Sequence, residues 1–309
     1  MKKTWLITGC SEGGIGAGIA KAVLARGYNA VVTARRLESV QGIVEKYPDR
    51  ALGVTLDVTD PAGIEAAVSA ANQRFGRIDV LVNNAGYCYR SSVEEADWAG
   101  VNQMYETNLF GAVRLIQAVL PQMRARHEGA IVNISSIGAV HTGAASGYYA
   151  STKAALELVS EGLAAELTPL GIKVLIVEPG AFRTHFYDSS LKGAAMTIHD
   201  YKDTAWRRFP ENAVNQGNQP GDPDKAGDVL IDVLERENTP LRLLLGSDAV
   251  KAVRMALEKR LEGLEAWAEV SARTDFYILQ SLQLCKQCRK FFLCIIPAYK
   301  IIGHERLLI

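Results

Sequence analysis

Tyr149 and Lys153 stand four residues apart in Tyr149-Ala-Ser-Thr-Lys153, downstream of Ser136. A phenol is a weak acid, with an ordinary pKa near ~10, and a neighbouring ammonium favours its ionised form. Residues at i and i+4 of a helix share one face, so the amine of Lys153 reaches the region of Tyr149 if the segment is helical. The run from Ala150 to Ala165 predicts that helix, being rich in Ala, Leu and Glu with apolar residues at helical spacing. A serine at a strand end can hydrogen-bond a carbonyl oxygen while the tyrosine supplies or removes a proton. The chemistry open to such a trio is acid–base assistance at a carbonyl or carbinol carbon. Tyr-x-x-x-Lys alone is common by chance, and Ser136 could equally cap a turn, so the surrounding elements decide.

Those elements alternate along most of the chain. Strands are expected at Thr4–Thr8, Asn29–Ala34, Ala51–Leu56, Ile78–Val82, Ala130–Ile134, Lys173–Val177 and Arg242–Leu245. Helical segments are expected near 15–26, 37–47, 61–75, 97–126, 148–168 and 224–236, with an amphipathic helix at 248–269. Strands this apolar suit burial on both faces, and their alternation with helices predicts an α/β fold: a doubly wound, Rossmann-type parallel sheet of about seven strands with helices on both faces. The expected organisation is one catalytic domain over 1–270 and an atypical extension over 277–309.

Composition is that of a soluble globular protein: 309 residues, 48% apolar, 22% charged, with 34 basic and 34 acidic side chains. A net charge of +0 argues against nucleic acid as the main partner. No uninterrupted apolar run approaches the ~18 residues of a spanning helix, and Trp5-Leu6-Ile7 is too short for an export signal. Five cysteines, at 10, 88, 285, 288 and 294, make no disulfide framework. A cytoplasmic protein is expected.

The first strand runs into Thr8-Gly9-Cys10-Ser11-Glu12-Gly13-Gly14-Ile15-Gly16 and then a helix. Glycines in that context let backbone approach a pyrophosphate, whose charge the helix N-terminus favours. The second strand ends in Thr33-Ala34-Arg35-Arg36, with arginines where a carboxylate would accept from a ribose 2′-hydroxyl. Arginine pairs instead with a 2′-phosphate, so NADP(H) is the expected cofactor, contacted first by Arg35 and then by Arg36; the alternative is that both are simply solvated at a helix start. Asp57-Val58 closes the third strand, placing a carboxylate for an adenine amino group. Asn83-Asn84-Ala85-Gly86 closes the fourth with small residues that allow a nucleotide to lie close.

Two regions break the rhythm. Residues 181–222 form a long connection carrying Phe182, Phe186, Tyr187, Met196, Tyr201, Trp206 and Phe209, which reads as a binding loop or lid, each aromatic being alternatively a core residue. The tail from about Tyr277 holds Cys285-x-x-Cys288, Cys294 and His304. One such pair without a matched second pair is not a zinc pattern, and no metal is expected. Contact of the tail with a membrane surface is an alternative to a plain extension.

Taken together, these residues resemble the short-chain dehydrogenase/reductase family over roughly 4–270. Thr8-Gly9…Gly14-Ile15-Gly16 is similar to its cofactor turn, and Asp57 to its adenine contact. Asn83-Asn84-Ala85-Gly86 is similar to its sheet-stabilising motif. Ser136, Tyr149 and Lys153 match its catalytic triad, and Asn108, in Glu106-Thr107-Asn108-Leu109, the fourth member of its tetrad. Pro179-Gly180 with Thr184 matches the motif that holds the nicotinamide carboxamide, with Phe182 in place of a small aliphatic at a backbone contact. The turn departs from the family by one residue, four between Gly9 and Gly14 instead of three, which affects contacts at Ser11 and Glu12.

The resemblance implies hydride transfer at a carbonyl or carbinol carbon. Tyr149 would be the acid/base, Lys153 would lower its pKa and hold the nicotinamide ribose, Ser136 would orient the carbonyl, and Asn108 would hold a water linking Lys153 to solvent. Tyr87, Cys88, Tyr89, Val140, His141 and Tyr148, with the aromatics of 182–209, suggest an apolar or aromatic small-molecule substrate. The family also implies a homodimer or homotetramer paired through the helices near 97–126 and 148–168. Alternatives are a non-catalytic NADP(H) sensor and a membrane-associated lipid ketone reductase.

Overall fold

The computed structural model describes residues 2–187, 191–207 and 217–275. Seven strands form one parallel sheet: β1 (Thr4–Ile7), β2 (Asn29–Ala34), β3 (Ala51–Thr55), β4 (Val80–Asn83), β6 (Gly129–Ile134), β7 (Ile172–Pro179) and β9 (Arg242–Leu245), in the spatial order β3-β2-β1-β4-β6-β7-β9. A short parallel pair stands apart from it: β5 (Cys88–Arg90) with β8 (Leu191–Gly193). The expected doubly wound α/β sheet is present. Order reverses between β1 and β4, and it is there, beyond the carboxyl ends of the strands, that such a sheet opens a crevice for a ligand.

The helices are α1 (Ile15–Ala25), α2 (Gln41–Lys46), α3 (Pro61–Phe75), α4 (Trp98–Tyr105), α5 (Gly111–Arg126), α6 (Gly147–Leu167), α7 (Pro223–Leu234) and α8 (Ser247–Ser271). One apolar layer joins Ile7, Val32, Val82 and Val132 to Ile19 and Val23 of α1 and to Leu230 and Ile231 of α7. On the other face Leu6, Val31, Leu81 and Ile131 meet Ile64 of α3 and Leu115 and Val119 of α5. Successive strand residues point to opposite faces, so both faces must be covered, as the unbroken apolar runs required.

Three boundaries differ from expectation for identifiable reasons. Strand β4 begins at Val80 because Thr4 donates its backbone N–H to Asp79 Oδ2 at 2.8 Å, and Asp79 is also paired with Arg77. The segment 37–47 is a 3₁₀ turn, Leu37–Val40, followed by α2. The segment 97–126 is two helices joined by a π turn over Glu106–Phe110. There Thr107 Oγ1 bonds back to Gln103 O at 3.0 Å, and a methyl group on Gly111 would lie 2.6 Å from Val58 O, so the chain bends where backbone meets backbone.

The chain divides into two units, residues 1–257 and 258–309. In the second, the described residues continue α8 to Ser271 and close in a short turn, Ala272–Thr274. The tail cysteines, His304 and Phe209 lie outside the described residues. Among the described residues no helix is long and apolar enough to cross a membrane.

Candidate active site

The turn after β1 is tied to the end of β4. Thr8 Oγ1 accepts from Asn84 N at 2.9 Å and Ala85 N at 3.0 Å, and Asn84 Nδ2 donates to Thr8 O and Gly9 O, each at 2.9 Å. Gly9 has φ +69°, and a methyl group there would meet Ala85 Cα at 2.9 Å, so no other residue serves. Gly16 is not in the cleft wall; a methyl group on it would lie 2.5 Å from Asn84 Nδ2, and its absence lets α1 approach the sheet. The extra residue of the turn is absorbed at Gly13, whose φ of +75° turns the chain under the His185 ring. Gly14 N then bonds to Ser11 O at 3.2 Å, and α1 starts with no side-chain cap on its first N–H groups.

A cleft of about 1120 Å³ opens over these turns. Its wall includes Gly9, Ser11, Gly14 and Ile15 of the first turn, Arg35 and Arg36 beyond β2, Asp57 and Val58 beyond β3, and Asn84, Ala85 and Gly86 beyond β4. Pro179, Gly180, Phe182 and Thr184 line the end beyond β7. Of the expected cofactor contacts, two lie outside that wall, Gly16 and, behind it, Asn83. Asn83 is buried, and its Nδ2 donates to Asn133 Oδ1 at 2.8 Å, while Asn133 donates to Ser160 Oγ at 2.8 Å. Its amide therefore locks β4 to β6 and α6 behind the cleft.

Ser136, Tyr149 and Lys153 all face this cleft. A methyl group built on Gly138 would lie 3.2 Å from Ser136 Oγ and 3.5 Å from Tyr149 Cε1, so the two side chains meet over that glycine. One built on Gly86 would lie 3.1 Å from Asn108 Oδ1 and 3.4 Å from Lys153 Nζ. Ser136 does cap a turn, since its Oγ accepts from Gly138 N at 3.0 Å, but its hydroxyl proton is still available to a ligand. Lys153 Nζ donates to Ile134 O at 2.8 Å. Burial drives its ammonium down to about 8, against the opposing pull of Glu157.

Asn108 sits in the π turn, buried. Its Oδ1 accepts from Tyr87 N at 3.0 Å, and its Nδ2 donates to Tyr87 O at 2.9 Å and Thr152 Oγ1 at 3.1 Å. That side chain thus pins the β4–β5 connection to α6 directly beside Lys153.

Of the expected substrate-facing residues, Tyr87, Cys88 and His141 line the cleft, and Phe182 and Phe186 join them from the long loop. Burial pushes the Cys88 thiol up to about 11, so it acts as apolar wall. Tyr89 instead packs among Val101 and Met104 with its hydroxyl accepting from Asp97 N, and Tyr148 bonds Val93 O and meets Trp98 edge-on. Val140 is not in the wall. Tyr201 and Trp206 point to Glu94 and Glu95.

Several contacts of the site carry no signal in the sequence. Phe186 brings its ring centroid to 5.6 Å from that of Tyr149, and Lys192 Nζ lies 4.8 Å from the Tyr87 centroid. Asp248 Oδ2 accepts from Ala181 N at 2.7 Å and fixes the turn after β7, while its Oδ1 is buried in the cleft wall without a hydrogen-bond partner among the described residues. Glu95 organises the loop. Its Oε1 accepts from Thr197 N, Thr197 Oγ1 and Ile198 N at 2.6, 3.0 and 2.7 Å, and its Oε2 from Trp206 Nε1 at 2.7 Å. Burial opposes ionisation, yet these bonds together with one from Ser92 bring the carboxyl down to about 2. With these bonds removed, Glu95→Ala is expected to accelerate tryptic cleavage after Lys192 or Lys202 about tenfold; an unchanged cleavage rate would show that the loop is held by other means.

A profile of the short chain dehydrogenase family matches residues 3–194. The chain belongs to that family. A short-chain dehydrogenase from Streptomyces avermitilis, known from its crystal structure, has 43% sequence identity and a TM-score of 0.82, covering 89% of this chain and 98% of that one. Oxidoreductase BOA17 of Botryotinia fuckeliana is 36% identical over 272 residues, 88% of this chain and 98% of the relative. ElxO, solved with NADP bound, has 28% identity and a TM-score of 0.66, covering 81% of this chain and all of its own, 100%. As a short-chain dehydrogenase the protein is an oxidoreductase acting on small molecules.

Proposed function

We propose that the protein is an NADP(H)-dependent oxidoreductase that interconverts a ketone and a secondary alcohol on an apolar or aromatic small molecule. The observation that carries this reading is the convergence of Ser136 and Tyr149 over Gly138, with Lys153 beside Gly86, in one cleft at the carboxyl ends of the strands. The cleft suits a dinucleotide: Gly9 and Gly14 leave room for a pyrophosphate, α1 presents uncapped N–H groups, and Asp248 Oδ1 offers a buried acceptor beside Gly180. NADP(H), when bound, supplies or accepts the hydride.

The chain's own residues perform the rest. Ser136 donates to the substrate oxygen and orients it. Tyr149 gives that oxygen its proton in reduction and takes it back in oxidation. Lys153, as the ammonium, stabilises the phenolate left behind and holds the nicotinamide ribose. Asn108 keeps Tyr87 and Gly86 close to Lys153, at the end of the route by which solvent replaces the proton. Tyr87, Cys88, Phe182 and Phe186 form an apolar and aromatic surface next to Tyr149, which is the basis for the proposed substrate class. Working in a reduced NADP pool, the enzyme would run as a reductase. Phe110, Leu158 and Val159 are exposed on the helices through which the family pairs, and they support a homo-oligomer.

Oxidation of NADPH by a panel of aryl and alkyl ketones tests the reading; failure of every ketone, or faster turnover with NADH, would overturn it. Arg35 and Arg36 line the cleft where a 2′-phosphate would lie. Arg35→Asp is expected to weaken NADPH binding about 10–100-fold, the worth of one charge-assisted contact, with little effect on NADH. Fluorescence titration with both nucleotides measures this, and an unchanged ratio would remove Arg35 from the assignment.

A further inference from the structure

Behind the catalytic end of the sheet lies a cluster of charge that the reaction above does not use. Glu157 follows Lys153 by one turn of α6, and Glu178 lies near the end of β7; they are 6% and 1% exposed. Arg242, the first residue of β9, brings Nη2 to 3.6 Å from Glu157 Oε2 and Nε to 3.3 Å from Glu178 Oε1, and it also pairs with Glu161. Three carboxylates thus share one guanidinium. Arg242 and Glu161 reach solvent while Glu157 and Glu178 do not; burying carboxylates in this way is a poor source of stability compared with apolar packing, so the arrangement calls for another reason.

The reason lies in what Glu157 touches. Its Oε1 accepts from Ser135 Oγ at 2.6 Å. Ser135 stands between Ile134, whose carbonyl takes the Lys153 ammonium, and Ser136, whose hydroxyl faces the cleft. One carboxylate therefore fixes the strand end that presents both groups. Its charge also acts directly on the ammonium four residues before it.

We propose that Glu157 is a positioning residue for the reaction: held by Ser135 and Arg242, its carboxylate is the counter-charge that keeps Lys153 protonated over the working pH range. The proposal rests on the reading of Tyr149 and Lys153 as the acid–base pair. The groups facing Lys153 are Glu157 and Tyr149 on its own helix, Cys88 from β5 and Asn108 across Gly86. Those facing Glu157 are Ser135, Arg242, Glu161 and Glu178. Burial pushes the Cys88 thiol to about 11, so it stays neutral. Burial also raises Glu178, to about 7, so its charge varies where the enzyme works. Burial raises Glu157 as well, but Ser135 and Arg242 oppose that rise, and these two partners hold the negative charge next to the amine.

The sign follows. Removing that charge lowers the Lys153 pKa, so the ammonium, and with it the support for the Tyr149 phenolate, is lost at a lower pH. NMR titration of lysine labelled with ¹³C at Cε reads this without turnover, Lys153 being assigned by its absence in Lys153→Met. The midpoint of Lys153 is expected to fall by about one pH unit in Glu157→Gln, the usual effect of losing a close opposite charge. It should recover in Glu157→Asp and stay in place in Glu161→Gln. Ser135→Ala, which frees the carboxylate without deleting it, should give a smaller shift in the same direction and serves if Glu157→Gln does not fold. In assays of NADPH with an aryl ketone, the alkaline limb of kcat should move by the same amount. An unmoved midpoint in Glu157→Gln, or an equal shift in Glu161→Gln, would overturn the proposal. A shifted midpoint in a protein that reduces no ketone would sink the functional reading and leave the counter-charge standing.

Discussion

Tyr149→Phe is expected to cost about three orders of magnitude in kcat for ketone reduction while leaving NADPH affinity unchanged, the middle of the range for loss of a general acid. The substitution removes one oxygen from a ring that packs against Phe186 and lies over Gly138, so the ring position should survive. What disappears is the proton that the substrate oxygen needs as hydride arrives. Lys153 donates to Ile134 O, whereas Ser136, which orients the substrate oxygen, meets Tyr149 over Gly138. Single-turnover rates with NADPH and fluorescence titration measure the two halves of the prediction. A loss smaller than tenfold would mean that another group protonates the substrate. The same variant separates the enzyme from a non-catalytic NADP(H) sensor, which would show no NADPH oxidation to lose.

The largest expected effect on stability lies far from the chemistry. A methyl group on Gly18 would sit 1.9 Å from Pro223 O and 2.6 Å from Pro223 C. Both are backbone atoms at the start of α7, where Asp222 caps Asp224 N at 3.0 Å, so the obstacle is not a flexible side chain that can swing away. Helices α1 and α7 touch closely here, with Gly227 against Ala22 in the next layer, and Gly18→Ala must push them apart. Overpacking of this kind costs about 3 kcal/mol, a fall in Tm of roughly 5–10 °C for a domain of this size. Because α1 carries the Gly14–Gly16 turn at its start, its displacement should also weaken NADPH binding. Gly42 in α2 is the contrast: it has nothing within 4 Å, and Gly42→Ala should raise stability by about 0.5–1 kcal/mol through helix propensity. Equal melting temperatures for the two variants would show that the α1–α7 contact yields easily.

The sheet was legible because burial on both faces demands unbroken apolar runs, and Asn29-Ala-Val-Val-Thr-Ala34 or Gly129-Ala-Ile-Val-Asn-Ile134 can hardly satisfy any other environment. The turns of the cleft were legible for a related reason: Gly9 and Gly16 sit where an added side chain would collide with its neighbours, and Tyr149 and Lys153 carry their relation in helical spacing. The partner of Asn83 was not legible, because its motif names a position at the strand end and says nothing of which way the amide turns; a buried hydrogen bond to Asn133 decided that. The pair β5–β8 was invisible because three-residue strands joined across about a hundred residues leave no local pattern.

What the chain alone determined, then, was the order of elements and the family, with the strand-end turns and the candidate reacting groups named from local periodicity or from single residues with unusual stereochemistry. Only the tertiary structure decided the partners: Glu95 gathering the loop, Asp248 bracing the turn after β7, and Arg242 drawing Glu157 and Glu178 together behind Lys153. Hydrogen bonds and buried charges join residues by distance in space, and sequence separation records nothing of that distance.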